Sequence, residues 1–553
     1  MIQALLLIAA AVMGVAQRAL PPLSADELVA ERIRIRVEAG GGEPLYEGAA
    51  LGGFYARRFF RPAWSHEQGP NRLADDLVAA IGRADLEGLR PEEYHLAGIR
   101  ALLTVVRTDA SNGGNTDPDR LAELDLLLTD AFLLYGSHLL AGRVDPETLH
   151  PRWEANRRGA DLATVLEDAL DSRNVARALQ RLAPTQDGYR WLREALAREQ
   201  AVAESGGWPT LPDGPVLKRG DRAPAVAVLR ERLRLEGDLR PGGKVQDADL
   251  FDAVLEQALQ RFQQRHGLEA DGAVSPPTRA ELNVSAAARA EQLRLNLERW
   301  RWLPKELGRR RIIVNIAAYE LEVIEDEEVV LAMRVVVGRQ YRRTPVFSDT
   351  VRYIVLNPNW HVPRKIAVED LLPKIQHDPS YFERYQMRVF EGSAANAQEV
   401  DPTTVDWSTV TADNFKYRLN QEPGRLNALG RIKFMFPNPY DVYLHDTPAR
   451  ELFDEAQRDF SSGCIRVEKP LELAVYLMKK NGHWNRDALT EALDEGTERS
   501  VYLARPMPIH LLYWTAWADE NGTIQFRSDI HGLDQPLTEA LQAPVPTKEQ
   551  TNR

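Results

Sequence analysis

The chain is almost without cysteine: Cys464 is the only one in 553 residues. A single thiol cannot close an intramolecular disulfide, so the fold has to stand on its apolar cores alone. Basic tracts are missing too. With a net charge of −12 and a pI near 5.6, the chain lacks the electropositive footprint that nucleic-acid partners require. No carboxylate–histidine group has the spacing of a zinc site, so neither a metal nor another cofactor is expected. Long hydrophobic runs are confined to the start, where residues 4–16 are almost wholly apolar and end in Gly14-Val15-Ala16. A spanning helix needs about 20 apolar residues, so this shorter stretch reads as a signal peptide over residues 1–16 or, if uncleaved, an anchor. The remainder is expected to be soluble and exported. Export gives the lone cysteine two readings, a small buried hydrophobe or a reactive group.

What is present is ordinary globular material, 44% apolar and 27% charged, with a length that suggests three to four domains. Residues 24–203 read as a helical scaffold domain. Leu73, Leu77, Ile81 and Leu86 recur near helical spacing, and "LAELDLLLTDAFLLYGSHLLAG" (121–142) is a strongly apolar helix closed by glycine. The Gly/Pro-rich 204–215 is a linker. A small three-helix unit follows over 216–284, with Val226, Leu229, Leu233 and Leu235 on one face and Val254, Ala258, Phe262 and Leu268 on another. Residues 285–310 are a helical connector. From 311 the periodicity changes to β-branched alternation in "RIIVNIAAYELEVIEDEEVVLAMRVVVG", "RYIVLNPNW", "IKFMF", "DVYLHD" and "SVYLARP". A β-rich domain is expected over 311–505 and an extension over 506–553. Inside it, about 366–428 is too long and too proline-punctuated for a plain loop and reads as an inserted lid subdomain. The fold class is multidomain α+β.

The chemistry gathers around Cys464. A thiol nucleophile needs a base for its proton and donors for the oxyanion it creates. His445 ends an apolar strand nineteen residues earlier, a distance that allows a loop to return beside it. In "SSGC" the backbone N–H groups of Ser462, Gly463 and Cys464 can face a carbonyl oxygen, with Ser461 and Ser462 otherwise simple turn formers. Arg466, two residues along a strand from Cys464, shares its face, where it can hold a substrate carboxylate and favour the thiolate. Tyr443 shares the face of His445 and is placed to orient it. Trp360 and His361 in "NPNWHVP" either wall a cleft or pack a strand end.

"HDTP" followed after a loop by "SSGCIRV" resembles the catalytic signature of the L,D-transpeptidases. The large Gram-negative branch of that family, with an N-terminal scaffold, is resembled further in "FYARRFFRPAW", "ERWRWLP", "PGRLNALGRIKFMFPN" and "TAWADENGTIQFRSDIHG". Leu217, Arg219, Gly220, Phe262-Gln263 and "GLEADGAVSPPT" resemble a peptidoglycan-binding type 1 module, which serves either as a glycan binder or as a spacer. The resemblance implies Cys464 as nucleophile, His445 as general base, and the 462–464 backbone as oxyanion hole. Ser462 stands where many members carry histidine. It further implies a periplasmic enzyme of cell-wall synthesis that acts on peptidoglycan stem peptides as donor and acceptor, alongside other cell-wall enzymes. Such an enzyme forms a thioester with release of D-alanine, makes a 3→3 diaminopimelate cross-link, and is acylated by carbapenems. Two alternatives stay open: an L,D-carboxypeptidase or D-amino-acid exchange enzyme, and a silent peptidoglycan-binding scaffold.

Overall fold

In the N-terminal part, everything is arranged around one buried helix, Pro118–Ala141. Asp117 caps it by accepting from the Asp119 N–H, Pro118 fills its first turn, and it stops at Gly142 with φ 83°. The computed structural model describes residues 24–39, 45–66, 69–111, 117–150, 153, 157–240, 247–392 and 396–545. The stretch read as a signal peptide lies outside them. Among the described residues, Pro118–Ala141 is the one helix long and apolar enough to cross a membrane, yet its apolar surface is covered by Phe54, Leu77, Ile81, Leu103 and Leu192. Two of its carboxylates are buried and satisfied. Asp125 accepts from the N–H groups of Ala63 and Trp64 at 2.8 and 2.9 Å, and Asp130 from those of Tyr46 and Glu47. These bonds pin the preceding aromatic segment to the helix, because a buried carboxylate left unpaired would be costly.

The small unit after the linker packs helices Pro224–Leu235, Ala253–Arg265 and Pro276–Leu282 around Val226, Leu229, Leu233, Leu255, Leu259 and Phe262. Two expected core positions are instead exposed, Leu235 and Val254. The Asp252 side chain accepts from the Leu255 N–H and fixes the helix start there, which turns Leu255 and Leu259 inward and Val254 out. Helix Ala286–Arg301 then runs as a pillar between the parts. Arg301 is buried, pairs with Glu298 of its own helix and donates to the Tyr189 hydroxyl on the scaffold side. Arg299 pairs with Asp534, and Asn296 donates to the Thr515 hydroxyl, on the other side.

The β-rich part is a closed eight-stranded barrel. Its strands are β1 Arg310–Asn315, β2 Glu320–Glu325, β3 Glu328–Val336, β4 Phe347–Leu356, β5 Ile432–Met435, β6 Leu444–His445, β7 Ile465–Val467 and β8 Arg499–Leu512. The order around the barrel is β5-β6-β7-β3-β2-β1-β8-β4, with β4 closing on β5. Alternation fills the interior with Ile312, Val323, Ile354, Phe434, Leu444, Ile465 and Ile509. The expected boundary at 505/506 fails here. Strand β8 runs unbroken through it, because its second half pairs in parallel with β1, Ile509 opposite Ile312. Helix Asp534–Gln542 also belongs to the barrel, which it covers with Leu537 and Leu541.

The insertion between β4 and β5 has its own sheet and its own core. Strands Trp360–His361, Tyr417–Gln421, Met387–Glu391 and Gln398–Val400 lie side by side in that order, packed on Leu371, Ile375, Phe382, Trp407 and Phe415. It begins before the expected residue 366, because Trp360 and His361 pair with Gln421 and Asn420.

Candidate active site

Strand register assembles the site. β6 and β7 are parallel with Leu444 opposite Ile465 and His445 opposite Arg466; β5 is antiparallel to β6 with Lys433 opposite His445. Leu444, Ile465 and Phe434 fill the barrel. The alternate residues Lys433, Tyr443, His445 and Arg466 therefore share the outer face, together with Cys464 just ahead of β7. All five line one cleft of ≈ 1490 Å³ between barrel and lid. The lid supplies Trp360 and His361 to the opposite wall.

The turn carrying the thiol is held from several sides. The Ser461 hydroxyl is buried, donates to the Cys464 carbonyl at 2.5 Å and accepts from the Gly463 N–H at 3.1 Å. Gly463 has φ 118°, a conformation that only glycine takes without strain, and the Thr344 hydroxyl donates to its carbonyl at 2.9 Å. Gly463 N–H is thus already used, which removes it from the expected oxyanion hole. The N–H groups of Ser462 and Cys464 have no hydrogen-bond acceptor among the described residues and remain as the available donors. The Ser462 hydroxyl accepts from Arg342 at 2.7 Å.

Electrostatics set both reacting groups neutral. Burial and the neighbouring Arg466 push His445 down to about 3. Its Nδ1 lies 2.5 Å from the Asp446 carbonyl; a carbonyl only accepts, so the ring proton sits on Nδ1 and Nε2 is left as a proton acceptor. Cys464 is half-buried, and its thiol is raised by desolvation, against the opposing pull of Tyr443, Lys433 and Arg466. Arg466 does favour the thiolate, but desolvation outweighs it together with Lys433 and Tyr443, so the resting thiol is raised. Register thus sets a thiol and a neutral imidazole on one face of neighbouring strands, the two groups that a thiol nucleophile and its general base require.

Comparison with known proteins points the same way. The model of a scaffold domain matches residues 49–196, that of a putative peptidoglycan-binding domain residues 222–282, and that of the L,D-transpeptidase catalytic domain residues 309–497. Residues 309–497 are thus similar to L,D-transpeptidase catalytic domains. A putative L,D-transpeptidase of Haemophilus influenzae is 37% identical over 261 residues, 47% of this chain and 50% of that protein. The chain thus spans about half the length of this curated relative. An N-acetylmuramoyl-L-alanine amidase of Mycobacterium tuberculosis is 42% identical over 77 residues, 13% of this chain and 19% of that protein. A crystallised L,D-transpeptidase from Stackebrandtia nassauensis is 12% identical, covering 55% of this chain and 96% of that one, with a TM-score of 0.21.

Within the barrel, Tyr443 differs from its expected part. Its ring lies edge-on to His445 at 5.7 Å, but its hydroxyl bonds to the Cys464 sulfur. Among the described residues the Arg466 side chain has no hydrogen bond or ion pair, and its Nε is buried without a partner, so its charge is available to a substrate anion. Lys433 is the residue that sequence reading passed over. Its ammonium sits 3.8 Å from the centroid of the Tyr443 ring, is lowered by burial and is held up chiefly by Cys464. A lysine in the otherwise apolar "IKFMF" was the available signal. Lys433→Met is expected to slow iodoacetamide alkylation of Cys464 severalfold at pH 7 and to displace its pH profile upward, because a cation stabilising the thiolate is lost. A profile that coincides with wild type would refute this role.

Proposed function

We propose that the protein is a peptidoglycan L,D-transpeptidase that makes 3→3 cross-links through a Cys464 thioester. The observation that carries the reading is the single barrel face on which register gathers Cys464, His445, Tyr443, Lys433 and Arg466. The cleft is lined by seven Lys and Arg against three Asp and Glu, although the chain's net charge is −12. Such a cleft suits the carboxylates of a stem peptide. Cys464 Sγ attacks the carbonyl between diaminopimelate and the terminal D-alanine while its proton passes to His445 Nε2. The oxyanion is met by the N–H groups of Ser462 and Cys464. The C–N bond breaks, His445 returns the proton to the leaving D-alanine amine, and a thioester remains. The side-chain amine of a second diaminopimelate then forms the new C–N bond, its proton passes through His445 to sulfur, and the C–S bond breaks. The lid limits water, so a positioned amine outcompetes hydrolysis.

On this reading the enzyme works in the periplasm, with the 222–282 domain against the wall polymer, and carbapenems acylate Cys464 in place of substrate. The test is incubation with a disaccharide-tetrapeptide and mass spectrometry of the products. Equal release of D-alanine and formation of diaminopimelate-linked dimers is expected. Tripeptide monomers with free D-alanine and no dimer at high acceptor concentration would make the protein an L,D-carboxypeptidase instead. No D-alanine at all would leave a silent peptidoglycan-binding scaffold.

A further inference from the structure

The Ser462 hydroxyl is tied to the lid through one side chain. Arg342 stands in the loop between β3 and β4, with its side chain 6% exposed. One nitrogen of its guanidinium donates to Ser462 Oγ at 2.7 Å and also meets Asp370; the other donates to Glu369 at 2.5 Å. Glu369 and Asp370 are consecutive residues of the lid helix, within a π-helical turn over Ala367–Leu371. In an α-helix, neighbouring side chains diverge and do not face one another. Here the wider winding brings both carboxylates to one guanidinium, and single π turns recur at functional sites. The loop is fastened to the nucleophile's turn as well. Ser461 N–H donates to the Val337 carbonyl at 2.9 Å and Arg339 N–H to the Ser461 carbonyl at 3.0 Å, while His531 donates to the Gly338 carbonyl at 2.8 Å.

We propose that Arg342 is a positioning residue that couples closure of the lid to the shape of the 461–464 turn. The proposal rests on Cys464 being the nucleophile. With the lid seated, Glu369 and Asp370 neutralise Arg342 and aim it at Ser462, so that the turn presents the Ser462 and Cys464 N–H groups to the cleft. With the lid raised, Arg342 loses both counter-charges. An enclosed cation without partners is strongly disfavoured, so the side chain leaves for water and releases the Ser462 hydroxyl. The donors for the oxyanion are thereby assembled only over a covered substrate, which ties thioester formation to exclusion of water. Lysine cannot replace this arginine, because a point charge does not serve three acceptors in the plane of a fork.

The test uses the full chain in three forms: Glu369→Gln/Asp370→Asn on the lid, Ser462→Ala in the turn, and all three changes together. Hydrogen exchange of a peptide spanning 459–467 is read beside kcat and KM for D-alanine release. The lid variant is expected to exchange about tenfold faster in the 459–467 peptide, remote from its substitutions in sequence. Its kcat is expected to fall about tenfold with KM changed less than twofold, and the combined variant to be no slower than the worse of its parents, as linked groups behave. A fourth form, Arg342→Lys, is expected to exchange in 459–467 as fast as the lid variant. Wild-type exchange of 459–467 in the lid variant, or kcat losses that multiply, would overturn the coupling. The exchange measurement needs no turnover, so it stands even if the protein proves unable to cross-link.

Discussion

Cys464→Ala is expected to bring D-alanine release and dimer formation to background, a loss of about 10⁴-fold or more, as removal of a covalent nucleophile does. The change leaves the fold intact. The sulfur meets the Asp441 carbonyl at 3.8 Å, the Tyr443 hydroxyl and the Tyr443 backbone N–H, and the residue is half-buried. Stability should therefore move by no more than about 1 kcal/mol, and thermal unfolding separates lost chemistry from lost structure. Cys464→Ser is expected to be nearly as inactive. A hydroxyl is a far weaker acid than a thiol, and His445 is tuned to accept a proton from the thiol, not from an alcohol. The mass shift of a β-lactam adduct at residue 464 should vanish in both variants. Cross-linking by Cys464→Ala at even a hundredth of the wild-type rate would remove the thioester from the mechanism.

Much of this site was legible before any coordinates. A lone cysteine in "SSGC", a histidine at a strand end and an arginine two residues on are local signals, and alternation alone places Cys464 and Arg466 on one face. What stayed hidden is non-local. Lys433 reaches the thiol through the pairing of β5 with β6, and nothing within "IKFMF" reveals that partner. Arg342 is one of several arginines in "GRQYRRTP", and only the fold brings it to Ser462 and to two consecutive lid acids. The net direction of the thiol's pKa was hidden for the same reason. Charges can be counted along a sequence, whereas desolvation depends on depth in the cleft. The break at 505/506 failed because the parallel partner of β8 lies nearly two hundred residues earlier. In Ala253–Arg265 the expected Ala258 and Phe262 do face the core, and only Val254 was misplaced, its position next to the Asp252 cap turning it outward while Leu255 points in.

The neutral state of His445 leads to the second large effect. His445→Ala is expected to lower the rate of Cys464 acylation by about 10²–10⁴-fold near pH 7, the span usual for loss of a general base. The pH dependence identifies the cause. In the folded protein His445 is depressed to about 3, against an ordinary value near 6.5, so it remains a competent base across that whole interval. The wild-type acylation rate should show no break near 6.5 and should fall only as pH approaches 3. In His445→Ala the thiol, itself raised by desolvation, has to ionise unaided, and the rate should climb about tenfold per pH unit through neutrality. Stability gives an independent reading. A histidine depressed on folding takes up its proton in the unfolded chain first, so its contribution is complete above about 6.5 and is lost as pH falls toward 3. Removing His445 should make acid destabilisation shallower in that window. His138, buried and pushed down to about 3, and His150, down to about 4, act in the same sense and leave a residual slope. An acid limb near 6.5 in the wild-type acylation profile would mean that His445 keeps an ordinary imidazole pKa, and its depression by burial would be refuted.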